Sequence, residues 1–138
     1  MDNIPFYLPR DYYIDKIRPF IDKSIIKVLT GHRRVGKSYL LFQLIDEIHQ
    51  INSNCKIIHI DKELQEFRFI KTDEDLLNYV NQQVGKKENA YLFVDEVQEI
   101  ENFELSLRSL LATNHFDIYC TGSNAGMLSG DLATHLTG

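Results

Sequence analysis

Eight residues near the amino end of the chain have the types and spacing of a phosphate-binding loop. The stretch Gly31-His32-Arg33-Arg34-Val35-Gly36-Lys37-Ser38 fits the pattern G-x-x-x-x-G-K-[ST] and lies between a strand-like and a helix-like run. In such a loop the glycines let the backbone approach a phosphate closely, while successive N–H groups and a helix N-terminus face the anion. The motif therefore predicts binding of nucleotide phosphates.

Two side chains of this loop suit the chemistry of a bound nucleotide. Lys37 is expected to bridge the β- and γ-phosphates as a point charge, and the Ser38 hydroxyl to be a direct Mg²⁺ ligand. The predicted nucleotide contacts are Gly31, Arg33, Arg34, Val35, Gly36, Lys37, Ser38 and Tyr39. The two arginines leave alternatives open, because a guanidinium here can meet phosphate, pair with an acid, point to a neighbouring subunit or remain solvated.

A second motif is an apolar run that ends in two carboxylates, Tyr91-Leu92-Phe93-Val94-Asp95-Glu96. This is a Walker B pattern. Asp95, at the end of a buried strand, is expected to support the Mg²⁺, and Glu96 to polarise the water that attacks the γ-phosphate. The paired acids favour hydrolysis over transfer of phosphate to a bound acceptor.

Polar residues follow a later strand-like run, in the order Thr121-Gly122-Ser123-Asn124. A side chain at this strand tip can reach between the γ-phosphate and the attacking water, so Ser123 and Asn124 are candidate sensor residues. Both are also ordinary turn residues, and a purely structural role stays open.

The composition fits one soluble domain and limits its partners. The chain has 138 residues, 43% hydrophobic and 25% charged, with a net charge of −5. This acidic balance argues against a broad nucleic-acid-binding face, although a small basic patch and hence a nucleic-acid partner stay open. No signal peptide is visible and no run approaches the roughly 18 apolar residues of a membrane span, so we expect a cytoplasmic protein without a membrane partner.

We assign no catalytic or metal-binding role to the cysteines and histidines. Cys55 and Cys120 are expected to be reduced, buried thiols, as in a cytosolic protein. The five histidines show no metal-ligand spacing and are assigned surface or packing roles, so no zinc site is expected.

Apolar strand-like runs alternate with helical patterns, which predicts an α/β fold: a P-loop NTPase three-layer sandwich with a mainly parallel sheet. Predicted strands cover residues 24–30, 55–61, 91–94 and 117–121, and predicted helices cover 11–22, 37–50, 73–84 and 102–113. Thr72 is the expected N-cap of the helix over 73–84. Residues 122–138 are predicted as loop and short helical turns, without a closing element.

Taken together, these residues resemble the predicted ATPases of bacteria and archaea that have an AAA-like N-terminal domain, usually followed by a C-terminal domain of unsettled role. The resemblance rests on Pro9-Arg10, on Arg33 to Ser38, on Phe93-Val94-Asp95-Glu96-Val97-Gln98 and on Thr121 to Asn124 with Leu136-Thr137-Gly138. It implies an AAA-like core with an additional strand, adenine as the base, and a place for Gln98 in the Walker B block.

The resemblance also implies where the chain departs from the family. His32 replaces a common Pro, and the Arg that usually follows the closing Gly would come directly after Gly138. We therefore expect one domain over 1–138, with a leading segment 1–23 and a core over 24–138 that is incomplete at its carboxyl end. Self-association or a C-terminal domain would supply an Arg finger, and this stretch alone is expected to be a weak ATPase.

The function expected from the sequence is Mg²⁺-dependent ATP hydrolysis, with ATP and Mg²⁺ as cofactors and Lys37, Glu96, Ser123 and Asn124 as catalytic residues. Asp95 and Ser38 are the expected metal ligands. Two alternatives stay open: a switch that exchanges ATP for ADP with little turnover, and a P-loop kinase.

Overall fold

Five strands form one sheet in a computed structural model, which describes residues 14–30, 37–85, 88–122 and 133–137. The strands are β1 (Ile26–Thr30), β2 (Lys56–Asp61), β3 (Ala90–Asp95), β4 (Phe116–Thr121) and β5 (Ala133–Thr137). Three helices of the described part pack on the sheet: α1 (Lys37–Ile51), α2 (Asp73–Gln83) and α3 (Phe103–Ala112). These bounds confirm the predicted elements from 24 to 121 to within two residues.

Every pairing in the sheet is parallel, and the strand order is β2-β3-β4-β1-β5. Since β4 lies between β1 and β3, the strand before the phosphate loop and the Walker B strand are separated by an additional strand. The register pairs Leu29 with Thr121 and Val94 with Cys120, so β1, β3 and β4 end at the same edge. The predicted α/β fold, with its additional strand, is confirmed.

Helices cover both faces of the sheet, which explains why the strands are apolar throughout. One buried cluster includes Ile60, Val94 and Ile118 together with residues of α2 and α3. The cluster on the opposite face includes Leu29, Phe93 and Tyr119 together with residues of α1 and the helical residues 14–17. Because strand residues alternate between the faces, Asp95 and Thr121 share the α1 face with Phe93 and Tyr119.

A capping box fixes the start of α2. The Thr72 hydroxyl accepts a hydrogen bond from the Asp75 N–H at 3.3 Å, and an Asp75 carboxylate oxygen accepts from the Thr72 N–H at 3.1 Å. Each bond satisfies a backbone donor that the first turn of a helix leaves unpaired. The predicted N-cap role of Thr72 is confirmed.

A buried ion pair joins β1 and β4 at the amino edge of the sheet, and hydrogen bonds attach the segment before β1 to it. Lys27, which is 0% exposed, donates to an Asp117 carboxylate oxygen and, at 2.8 Å, to the Lys23 carbonyl. Asp117 also accepts from the Asp22 N–H at 2.8 Å and from the Tyr119 hydroxyl at 2.7 Å. Burial lowers the pKa of Lys27, and Asp117 opposes that shift by stabilising the ammonium ion.

Two details differ from the sequence-based expectation. The helix predicted over 11–22 is helical at 14–17 and then tightens into a 3₁₀ turn over Arg18–Phe20, because the ring of Pro19 cannot continue an α-helix. The prediction that no element closes the chain after β4 is wrong, since Ala133–Thr137 forms β5 and pairs with β1 along its whole length.

Candidate nucleotide site

The carboxyl edge of β3 presents the two predicted acids in a defined geometry. Asp95 is the last residue of β3 and is 1% exposed, so its carboxylate lies in the protein rather than in solvent. Glu96 follows with a left-handed backbone, φ 59° and ψ 53°, and is 7% exposed. This conformation is costly for a residue other than Gly, and such residues cluster at functional sites.

Thr121 connects the two acids. Its hydroxyl, fully buried at the end of β4, donates a hydrogen bond to Asp95 Oδ1 and accepts one from the Glu96 N–H at 3.0 Å. The hydroxyl therefore fixes the Asp95 carboxylate and the backbone turn at Glu96 together. Sequence reasoning named Thr121 as a strand end and gave it no role.

Gln98 holds the second acid. In the 3₁₀ turn Val97–Glu99 that follows Glu96, the Gln98 amide Nε2 donates to Glu96 Oε1 at 2.6 Å. The turn is closed by the Glu99 N–H, which donates to the Glu96 carbonyl at 3.1 Å. A side chain that the resemblance placed in the Walker B block thus contacts the predicted catalytic acid directly.

The predicted phosphate loop is described only in part. Helix α1 begins at Lys37, so the helix N-terminus lies where the motif requires it, after β1. Tyr39 is 36% exposed, and the helix buries Leu40, Leu41 and Leu44 on the sheet. Gly31, Arg33, Arg34, Val35, Gly36, Ser123 and Asn124, with the side chains of Lys37 and Ser38, lie outside the described residues.

The donor chemistry at this edge suits a hard divalent cation. A buried carboxylate oxygen beside a hydroxyl is the kind of ligand that Mg²⁺ prefers, and Mg²⁺ sites use one or two carboxylates together with substrate phosphates. In the described residues no group of three or more His, Cys, Asp or Glu could hold a metal ion. The Asp95 carboxylate fits a cation that is shared with a phosphate.

A separate cleft of about 390 Å³ opens at the amino edge of the sheet, beside Asp22, Tyr91 and His115. None of the predicted nucleotide or metal residues lines it. In α/β sheets ligands bind outside the carboxyl ends of the strands, so the edge with Asp95 and Glu96 is the candidate site.

Comparison with known proteins finds a family model and two relatives in other organisms. A family model described as an AAA domain matches residues 23–138. An uncharacterized protein of Haemophilus influenzae is 34% identical over 133 residues, which are 95% of this chain and 33% of that protein. An uncharacterized protein of Methanocaldococcus jannaschii is 36% identical over 114 residues, covering 82% of this chain and 24% of that protein. The chain thus spans about a third or less of the length of these relatives.

A solved structure shares the fold. The structure of C. elegans PCH-2 aligns with 93% of this chain and 40% of its own, with a TM-score of 0.55 and 15% sequence identity. No helix in the described ranges has both the length and the apolar character that crossing a membrane requires.

Proposed function

The chain belongs to the AAA domain family, a class of nucleotide-binding, ATPase-like domains, and from that premise we propose that it binds ATP with Mg²⁺ and hydrolyses its γ-phosphate. The observation that carries the proposal is the pair of buried acids at the end of β3, each held by its own hydrogen-bond partner. Thr121 holds Asp95 and Gln98 holds Glu96.

Different chemistry is assigned to the two acids. Asp95, together with Ser38, would hold the Mg²⁺, which when bound offsets the charge of the β- and γ-phosphates. Glu96 lies one residue beyond the strand in a left-handed backbone conformation, and its carboxylate accepts a hydrogen bond from Gln98. It orients the attacking water and accepts its proton.

The remaining roles belong to the phosphate loop and to the tip of β4. Lys37 and the backbone N–H groups of residues 31–38 bind the phosphates, and Arg33, Arg34 and Tyr39 add further contacts to the nucleotide. Ser123 or Asn124 contacts the γ-phosphate and reports whether it is present. The motif and the position of α1 after β1 support these roles.

Partners and location are proposed on the same basis. An Arg from a second copy or from a further domain would stabilise the charge that develops in the transition state, and such a residue contributes about 10³ to 10⁵ in rate. We place the protein in the cytoplasm, in keeping with the free thiols of Cys55 and Cys120.

The proposal is tested by calorimetry of Mg²⁺-ATP binding and by phosphate release on the same preparation. Lys37→Ala is expected to lower ATP affinity by roughly 100-fold, because a charge that meets phosphate is lost. Glu96→Gln is expected to keep binding and to lower turnover about 10²- to 10⁴-fold, because the general base is lost. Lys23→Ala and Glu88→Gln make the same changes at exposed positions near the amino edge and should alter neither quantity.

The outcomes separate the alternatives. Failure of the wild-type chain to bind ATP or ADP would contradict the proposal. Tight binding without phosphate release, equal in the wild type and in Glu96→Gln, would instead support a nucleotide-operated switch.

A further inference from the structure

The cleft at the amino edge of the sheet, of about 390 Å³, is lined by described residues that all lie outside the proposed ATPase site. Three parts of the chain meet there: the turn before β1, the first residues of β3 and the first residues of β4. Sites for small molecules have volumes of about 300 to 1,000 Å³. The cleft is therefore large enough for a ligand of one ring.

Several polar groups of the cleft keep unused hydrogen-bonding capacity. The Tyr91 hydroxyl donates to Asp22 Oδ1 at 2.8 Å, and His115 Nδ1 lies 3.0 Å from Asn89 Oδ1. Within the described ranges these contacts leave Asp22 Oδ2, the Asn89 amide nitrogen and His115 Nε2 for a ligand. Together these atoms include acceptors and donors.

Three carboxamides line the cleft: Asn52 after α1, Asn89 before β3 and Asn114 before β4. Asn52 and Asn114 are exposed, and their side chains make no hydrogen bond to another residue of the described part. A carboxamide both donates and accepts, as a hydroxyl group does, whereas an ionised phosphate only accepts and an ammonium group only donates. A ligand with several hydroxyl groups matches this set best.

The charge at the cleft is close to balanced. Asp22 and Asp117 are its two acids, and Lys23 is exposed beside them. Asp117 is compensated by the buried ammonium group of Lys27. Burial, together with the hydrogen bond to Asp22, raises the pKa of Tyr91, so its hydroxyl stays neutral. This balance favours neither an anion nor a cation.

We propose that the amino-edge cleft binds a neutral, polyhydroxylated ring of the size of one sugar. The Asp22 carboxylate and the carboxamides of Asn89 and Asn114 hold its hydroxyl groups, in the way that an acid binds ribose in dinucleotide sites. The carbon skeleton of the ring lies against the aromatic residues of the lining, Tyr91 and Phe116. This site goes beyond the proposed function, since it shares no residue with the ATPase site.

The test is a titration of the isotope-labelled chain with ribose and with glucose, followed by the amide chemical shifts in NMR spectra. For a ligand of this size we expect a dissociation constant on the order of 1–10 mM. At least one of the two sugars should give saturable shifts at residues of the cleft, among them Asn89 and His115.

The decisive variant is Asn114→Gly. Asn114 has a left-handed backbone, φ 63°, which glycine keeps while the carboxamide is removed. We expect the affinity for the sugar to fall about 10-fold. The matched control is Asn102→Gly, at an exposed residue with φ 58° that does not line the cleft, and it should leave the affinity unchanged. If Asn114→Gly does not fold, Asn89→Ala carries the test with the same expected loss.

Each remaining outcome overturns the proposal. Neither sugar giving a saturable shift would mean that the cleft does not bind such a ring. Saturable shifts of the cleft amides with inorganic phosphate or methylammonium, and none with the sugars, would mean a charged ligand. Equal sugar affinities in the wild type and in the cleft variant would place the binding site elsewhere.

Discussion

The hydroxyl of Thr121, at the end of β4, donates a hydrogen bond to the Asp95 carboxylate at the end of β3. It also accepts from the Glu96 N–H at 3.0 Å, so one buried hydroxyl serves both predicted acids. Because β4 is the strand inserted beside β3, the insertion that defines the sheet order also delivers the group that orients the metal-binding carboxylate.

Thr121→Val therefore tests this arrangement with little change in shape. Two buried polar groups each lose a hydrogen bond, and we expect the free energy of unfolding to fall by about 1–3 kcal/mol in urea denaturation. Thr121→Ser keeps the hydroxyl and should retain Mg²⁺-dependent ATP affinity, which Thr121→Val should lower.

The control for this substitution is Thr113→Val. The Thr113 hydroxyl donates to the Leu110 carbonyl at 2.8 Å where α3 ends, away from the site. Thr113→Val should lower the free energy of unfolding by about 1 kcal/mol and leave ATP affinity unaltered. An unchanged metal dependence in Thr121→Val would show that the hydroxyl is structural only.

Gln98 is expected to position Glu96. The amide holds Glu96 Oε1 at 2.6 Å, and Gln98→Leu removes that bond while keeping an apolar stem of similar length. We expect turnover to fall about 10-fold, which corresponds to about 1.4 kcal/mol in the barrier, with ATP affinity unchanged. Gln82→Leu, at an exposed position on α2, is the matched control in steady-state phosphate release. A rise in turnover in Gln98→Leu would mean that the contact restrains Glu96 instead.

The position of the two acids could be predicted from the sequence, but the side chains that contact them could not. An apolar run ending in Asp95 and Glu96 predicts two carboxylates at the carboxyl edge of a parallel sheet, because strand direction fixes which end they occupy. The partner of Asp95 depends on which strand lies beside β3 and in what register, and both are set by long-range pairing. Thr121 carries no local sign of its role.

Strand β5 could not be predicted from the pattern of its residues. The stretch Ala133–Thr137 is short and mixes Thr and His with two apolar residues, which is equally typical of a polar turn. It becomes a strand because the edge of β1 is available to pair with it.

The buried pair of Lys27 and Asp117 is predicted to be a major contributor to stability. Lys27→Met keeps most of the buried stem and removes the ammonium ion, which leaves the Asp117 carboxylate uncompensated at the amino edge. We expect the free energy of unfolding to fall by about 3–5 kcal/mol in urea. Lys23→Met, four residues earlier and exposed, should change it by less than about 0.5 kcal/mol. Similar midpoints for the two variants would show that Asp22 and Tyr119 suffice to hold Asp117.

The left-handed backbone at Glu96 predicts that a glycine variant is more stable than an alanine variant at this position, which is the reverse of their order in a helix. With φ at 59°, any side chain at this position crowds the backbone, and glycine alone avoids that cost. Glu96→Gly should therefore be about 1 kcal/mol more stable than Glu96→Ala in urea denaturation, although both lose turnover. At Arg108, exposed in the middle of α3, the same pair should fall in the opposite order, because glycine costs about 1 kcal/mol in a helix. If alanine proves the more stable residue at both positions, the backbone at Glu96 is not left-handed in solution.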